Sequence, residues 1–128
     1  MYKLGSISLI ALCVIIAGCA SSPSYTSLEG MPGDAPVQKV GLKGDNCEWI
    51  PSTIRVDKGS HIILEVHSVD WDYNFRMKGY DLQFQIPKGE TITAEFYTSE
   101  VGEFEFGCYI ESGRRYKWGG MVGKVIVE

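Results

Sequence analysis

The sequence predicts an all-β fold, an antiparallel Greek-key β-sandwich of about seven short strands. Three observations carry that expectation. Apolar and polar residues alternate with period two in short segments, the signature of a strand with one buried face. Turn residues such as Lys58-Gly59-Ser60 and Pro87-Lys88-Gly89 punctuate those segments at intervals of about 8–12 residues. Nothing beyond the first twenty residues has the period of a helix longer than a turn or two, and the chain is rich in glycine (15) and tyrosine (7).

In chain order, residues 1–18 read as a lipoprotein signal peptide. Lys3 supplies a thin positive start, and Leu4–Ile16 is an apolar stretch of 13 residues. A spanning helix needs ~20 apolar residues, whereas a signal-peptide core is about this short. The run ends in Ile16-Ala17-Gly18-Cys19, which resembles the bacterial lipobox. That resemblance implies cleavage before Cys19 and lipidation of its thiol and amine, anchoring the chain to a membrane; the alternative is ordinary cleavage near Ala20. Ala20 and Ser21 follow where an Asp would resemble inner-membrane retention, so in a diderm host the pattern favours the outer membrane, with the domain facing the periplasm.

Residues 19–45, rich in Ser, Gly and Pro, are expected to form a flexible tether, with Val37–Leu42 the one segment that reads as the start of a strand. The domain proper is expected over 46–128. Its strands are Thr53–Asp57, His61–Ser68, Asn74–Met77, Leu82–Ile86, Thr91–Tyr97, Gly102–Cys108 and Val122–Glu128. In His61–Ser68, Ile62, Leu64 and Val66 share one face, so His67 should face outward and His61 should lie just past a turn; both read as surface histidines. Trp49 is expected in or near the core.

These blocks together resemble the cupredoxin family, over about Cys47–Glu128. The resemblance rests on Trp49-x-Pro51-x-x-Ile54-x-Val56-x-x-Gly59, then Ile62-x-Leu64-x-Val66-x-Ser68-x-Asp70-x-x-Tyr73-x-Phe75, then Pro87-Lys88-Gly89, Gly102-Glu103-Phe104-Glu105-Phe106-x-Cys108 and Met121-x-Gly123-x-Val125-x-Val127. By eye it is similar to small cupredoxins and to the CuA domain of cytochrome c oxidase subunit II. It implies a cupredoxin-like sandwich with copper at one end, and it marks Cys108 and Met121 as ligand positions.

The histidines of that pattern are absent. Tyr73 stands where the family carries its first histidine, Ser112 stands for the second cysteine of a CuA loop, and Tyr116 stands for the second histidine. A blue-copper centre needs two imidazoles and a thiolate with a weak axial thioether, and a CuA centre needs two bridging thiolates. The soft groups that remain, Cys108, Met121 and Cys47, would suit Cu(I). Glu111 with the two tyrosines offers a harder oxygen set that Fe(III) accepts. The alternative to any metal is a Cys47–Cys108 disulfide, natural for two leftover cysteines in an oxidising compartment, making the domain a metal-free interaction module.

The net charge of −4, or −5 once Lys3 leaves with the leader, excludes the basic stripe of a nucleic-acid-binding domain. No catalytic motif stands out, so an enzyme is not expected. One basic–aromatic cluster, Arg114-Arg115-Tyr116-Lys117-Trp118, together with Trp71, forms a candidate partner patch for a periplasmic or respiratory protein.

Overall fold

The computed structural model describes the backbone of residues 24–112 and 115–128, and the side chains of 25–108 and 121–128. The signal peptide and Cys19 lie outside the described residues. Among the described residues ten strands follow in order: β1 Ser24–Ser27, β2 Val37–Asp45, β3 Glu48–Ile50, β4 Thr53–Val56, β5 His61–Ser68, β6 Tyr73–Met77, β7 Leu82–Ile86, β8 Thr91–Tyr97, β9 Gly102–Ser112 and β10 Arg115–Val127. They form two five-stranded sheets, ordered β1-β8-β5-β2-β3 and β4-β10-β9-β6-β7, that pack face to face as a cupredoxin-like β-sandwich.

The inner faces are those the alternation marks. Ile62, Leu64 and Val66 of β5 and Ile92, Ala94 and Phe96 of β8 meet Phe75, Phe84, Phe106, Val125 and Val127 from the opposite sheet, all buried. Rings fill the centre: Phe75 stacks on Phe84 and on Phe106, and Trp49 sets its edge to both Phe75 and Phe106. Each such large apolar side chain contributes about 1.5–3 kcal/mol by leaving water.

The structure departs from the sequence expectations in three places. The pairings β1–β8, β2–β5 and β4–β10 are parallel, so the sheets are mixed rather than wholly antiparallel. Periodicity reports which face a residue takes but carries no information on the direction of the neighbouring strand.

The span 19–45 also holds more than a tether. Residues 24–27 pair with β8, and residues 37–45 form β2 between β5 and β3. The strand start read at Val37–Leu42 is borne out as β2, and the sequence concealed its full length because only Leu42 and Gly44 of its nine residues are fully buried.

Finally, the last two strands run beyond the expected bounds at Cys108 and Val122. β9 continues to Ser112 and β10 begins at Arg115, so the backbone forms a long two-stranded ribbon.

Candidate metal centre

Three connections converge at one end of the sandwich: the β2–β3 turn, the β5–β6 loop and the inner part of the β9–β10 ribbon. The β2–β3 hairpin turns on Asn46 and Cys47, both with positive φ, +51° and +60°. Such a two-residue turn matches the twist of the flanking strands but requires the left-handed conformation at both positions. Asn tolerates it; for Cys it costs free energy.

The β5–β6 loop lies against this turn. Val69 N–H donates to the Gly44 carbonyl (2.9 Å), and Ser68 Oγ–H donates to the Trp71 carbonyl, which closes the loop. Asp70 Oδ2 then accepts the N–H of Asn46 (3.0 Å), while Asp70 Oδ1 accepts the hydroxyl of Tyr73 (2.6 Å). The Tyr73 oxygen in turn accepts the N–H of Cys47 (3.2 Å). Burial, and next the bond to Asp70, push the Tyr73 phenol up to about 12. The same hydroxyl is the main reason that the Asp70 carboxyl sits below its ordinary range.

Tyr73, in the histidine position of the resemblance, therefore fills the space with its ring and has its hydroxyl fully engaged. A neutral phenol already bonded on both sides is a poor donor to Fe(III), which removes one member of the oxygen set; Glu111 and Tyr116 lie outside the described side chains. Gly44 makes room for the ring: a Cβ there would stand 2.7 Å from Tyr73 Cδ2 and 3.2 Å from Met121 Cε.

Cys108 is delivered by β9 and buried, with 8 % exposure, and its Sγ accepts the N–H of Asn74 at 3.4 Å. Burial raises its thiol above the ordinary value, the Asn74 N–H pulls it back, and the nearby Cys47 raises it further. Met121 comes from an irregularity in β10. The register jumps from Trp118 opposite Tyr109 to Val122 opposite Gly107, leaving Gly119, Gly120 and Met121 across from Cys108. A bulge of this kind re-aims a side chain; here Met121 turns inward, 4 % exposed. Trp49 anchors that bulge by donating Nε1–H to the Met121 carbonyl (3.0 Å).

Cys47, Tyr73, Cys108 and Met121 thus lie at one end of the sandwich. Both cysteines are free thiols, Cys47 exposed and Cys108 buried, so the expected alternative bridge is not formed here. The histidines lie on the outer face of the other sheet, His61 bonded to Glu95 (2.8 Å) and His67 to Thr91 (2.9 Å). Among the described residues no group of three or more His, Cys, Asp or Glu gathers as a metal site. A blue-copper set cannot be built, because both histidines lie away from this end; the soft groups left here are the Cys47 and Cys108 thiols and the Met121 thioether. Trp71 is 68 % exposed beside this end, and the side chains of Ser112, Arg114, Arg115, Tyr116, Lys117 and Trp118 lie outside the described residues.

Two features escaped the sequence reading. The Asp70 clamp joins residues 24 and 26 positions apart, and only the Asn-Cys turn hinted at it. The Gly44 contact left no local signal.

The fold is that of cupredoxins. The metal-binding domain of a Cu(I)-exporting P-type ATPase from Streptococcus pneumoniae, determined with Cu(I), superposes with a TM-score of 0.62 at 15% identity, covering 84% of this chain and 98% of that one. Reduced auracyanin from Roseiflexus castenholzii gives 0.56 at 16% identity, over 70% and 96%. The periplasmic domain of cytochrome oxidase subunit II from Bradyrhizobium japonicum gives 0.50 at 17% identity, over 59% and 54%. No protein-family model and no curated protein matches the sequence.

Proposed function

We propose that this chain is a membrane-anchored, periplasm-facing copper-handling lipoprotein that holds Cu(I) at a histidine-free site. Cys108 and Met121 would be ligands and Cys47 the third. The carrying observation is the placing of Met121 in the bulge across from a buried Cys108, where the histidine position holds a tyrosine whose hydroxyl is bonded to Asp70 and to Cys47.

Thiolate and thioether are soft donors that select Cu(I), and among the described residues no imidazole lies at this end to favour Cu(II). Cu(I) supplies a soft, low-coordinate centre suited to ligand exchange between thiols. The residues then have separate tasks. Cys108 gives the buried thiolate, Met121 the weak thioether, and Cys47 an exposed thiol that solvent and partners reach. Trp49 fixes the Met121 backbone, and Tyr73 fills the volume an imidazole would need. This division suits capture and delivery, and an accessory role near a respiratory oxidase, better than rapid electron transfer. That a structure of this fold holds Cu(I) lends support. Anchoring and export rest on Leu4–Cys19, and the partner patch on Trp71 with the Arg114–Trp118 cluster.

The test is anaerobic Cu(I) titration of the reduced chain with intact-mass readout. One copper per chain, lost in Cys108→Ser, supports the site. A chain purified two protons light, inert to alkylation and binding no copper, would favour the disulfide-closed module instead.

A further inference from the structure

We propose that Asp70 and Tyr73 act as positioning residues, a clamp that presents the thiol of Cys47 to that of Cys108 so that both sulfurs engage one thiophilic centre. The inference rests on the soft-donor reading of this end, but its geometry can be tested without copper.

Cys47 occupies the second position of a tight turn at φ +60°, a conformation its own side chain disfavours. Such a residue persists when its surroundings over-determine it. Here two successive N–H groups are captured from the neighbouring loop, Asn46 by Asp70 Oδ2 and Cys47 by the Tyr73 hydroxyl. The carboxylate closes the ring by binding that hydroxyl as well. Tyr73 and Asn74 are consecutive: the hydroxyl of one holds the backbone of Cys47, and the backbone N–H of the other holds the sulfur of Cys108. One short segment therefore sets the relation between the two cysteines, although they come from different sheets. Gly44 fixes the third coordinate by letting the Tyr73 ring lie close against β2 beside Met121.

The experiment uses the reduced chain with Cys13→Ser and Cys19→Ser, so that Cys47 and Cys108 are its only thiols, and phenylarsine oxide, an As(III) reagent that condenses with two neighbouring thiols, releasing water and forming two As–S bonds. Bridging is read by intact mass and by competition with a small dithiol. That chain, the wild type for this comparison, should take one phenylarsenic group across Cys47 and Cys108, and Cys47→Ser or Cys108→Ser should abolish it. Tyr73→Phe keeps the ring and loses the hydroxyl, and should weaken bridging about tenfold, the loss expected for one hydrogen bond of this kind. Asp70→Asn, which leaves the ring in place, should weaken it in the same direction, with both variants keeping the wild-type circular dichroism. Failure of the wild type to bridge, or bridging by folded Tyr73→Phe as tight as wild type, would overturn the clamp. Bridging by a wild type that binds no Cu(I) would overturn the copper reading and leave the clamp standing.

Discussion

Tyr73 is the residue on which the site turns, because it replaces a ligand with a structural part. Its phenol ionises near 12 in the folded chain and near 10.0 unfolded. Between those values the unfolded state binds fewer protons, so the contribution is complete below pH 10 and disappears as pH rises towards 12. In urea denaturation, the stability difference between wild type and Tyr73→Phe should hold constant from neutral pH and shrink above pH 10; a difference indifferent to pH there would contradict the assignment. Asp70 works with the opposite sign. Its carboxyl lies below 3.8, so its contribution is present above that value and is lost as pH falls through the lower folded one. Two neighbours are as exacting. Gly44→Ala forces a methyl against the Tyr73 ring and should destabilise the chain by about 1–3 kcal/mol while weakening Cu(I) binding. Trp49→Phe leaves the Met121 carbonyl without its donor and should cost about 1–3 kcal/mol, measured by the denaturation midpoint.

At the scale of elements, the β2–β3 hairpin and the β10 bulge carry the function. The turn would be easier with glycine at its second position, so Cys47→Gly should raise stability by about 1 kcal/mol while lowering Cu(I) affinity. An unchanged affinity would remove Cys47 from the ligand set. Strand legibility follows the same physics. Strands β5, β7 and β8 show in the sequence because each alternates fully buried with exposed or half-buried residues. Strand β2 shows only in part, as the start read at Val37–Leu42, because four of its nine residues are Lys or Gly and only two are fully buried. The bulge could not be read either: Gly119-Gly120 looks like a turn, and only the ribbon pairing on both sides shows it as an insertion that rotates Met121 inward.

For the whole molecule, a cupredoxin sandwich brings distant segments to one end whatever they carry. The positions of Cys108, Met121 and Tyr73 were therefore legible from the order of the blocks. Their chemistry was not, since the hydrogen bonds that occupy Tyr73 run to Asp70 and to the backbone of Cys47, 26 residues earlier. The core beneath, with Phe75, Phe106 and Trp49 in mutual contact, gives the end a rigid floor independent of any metal. The copper-free chain should accordingly keep its fold on chelation, its melting temperature rising only as Cu(I) is added, by the mass action of a ligand that binds the native state. The most direct measurement is the copper K-edge absorption fine structure of the full-length chain loaded anaerobically with one equivalent of Cu(I). A first shell of sulfur alone, losing one scatterer in Met121→Leu, is the expected result. An imidazole pattern in the outer shells, or a chain that leaves the desalting column without copper, would contradict the account.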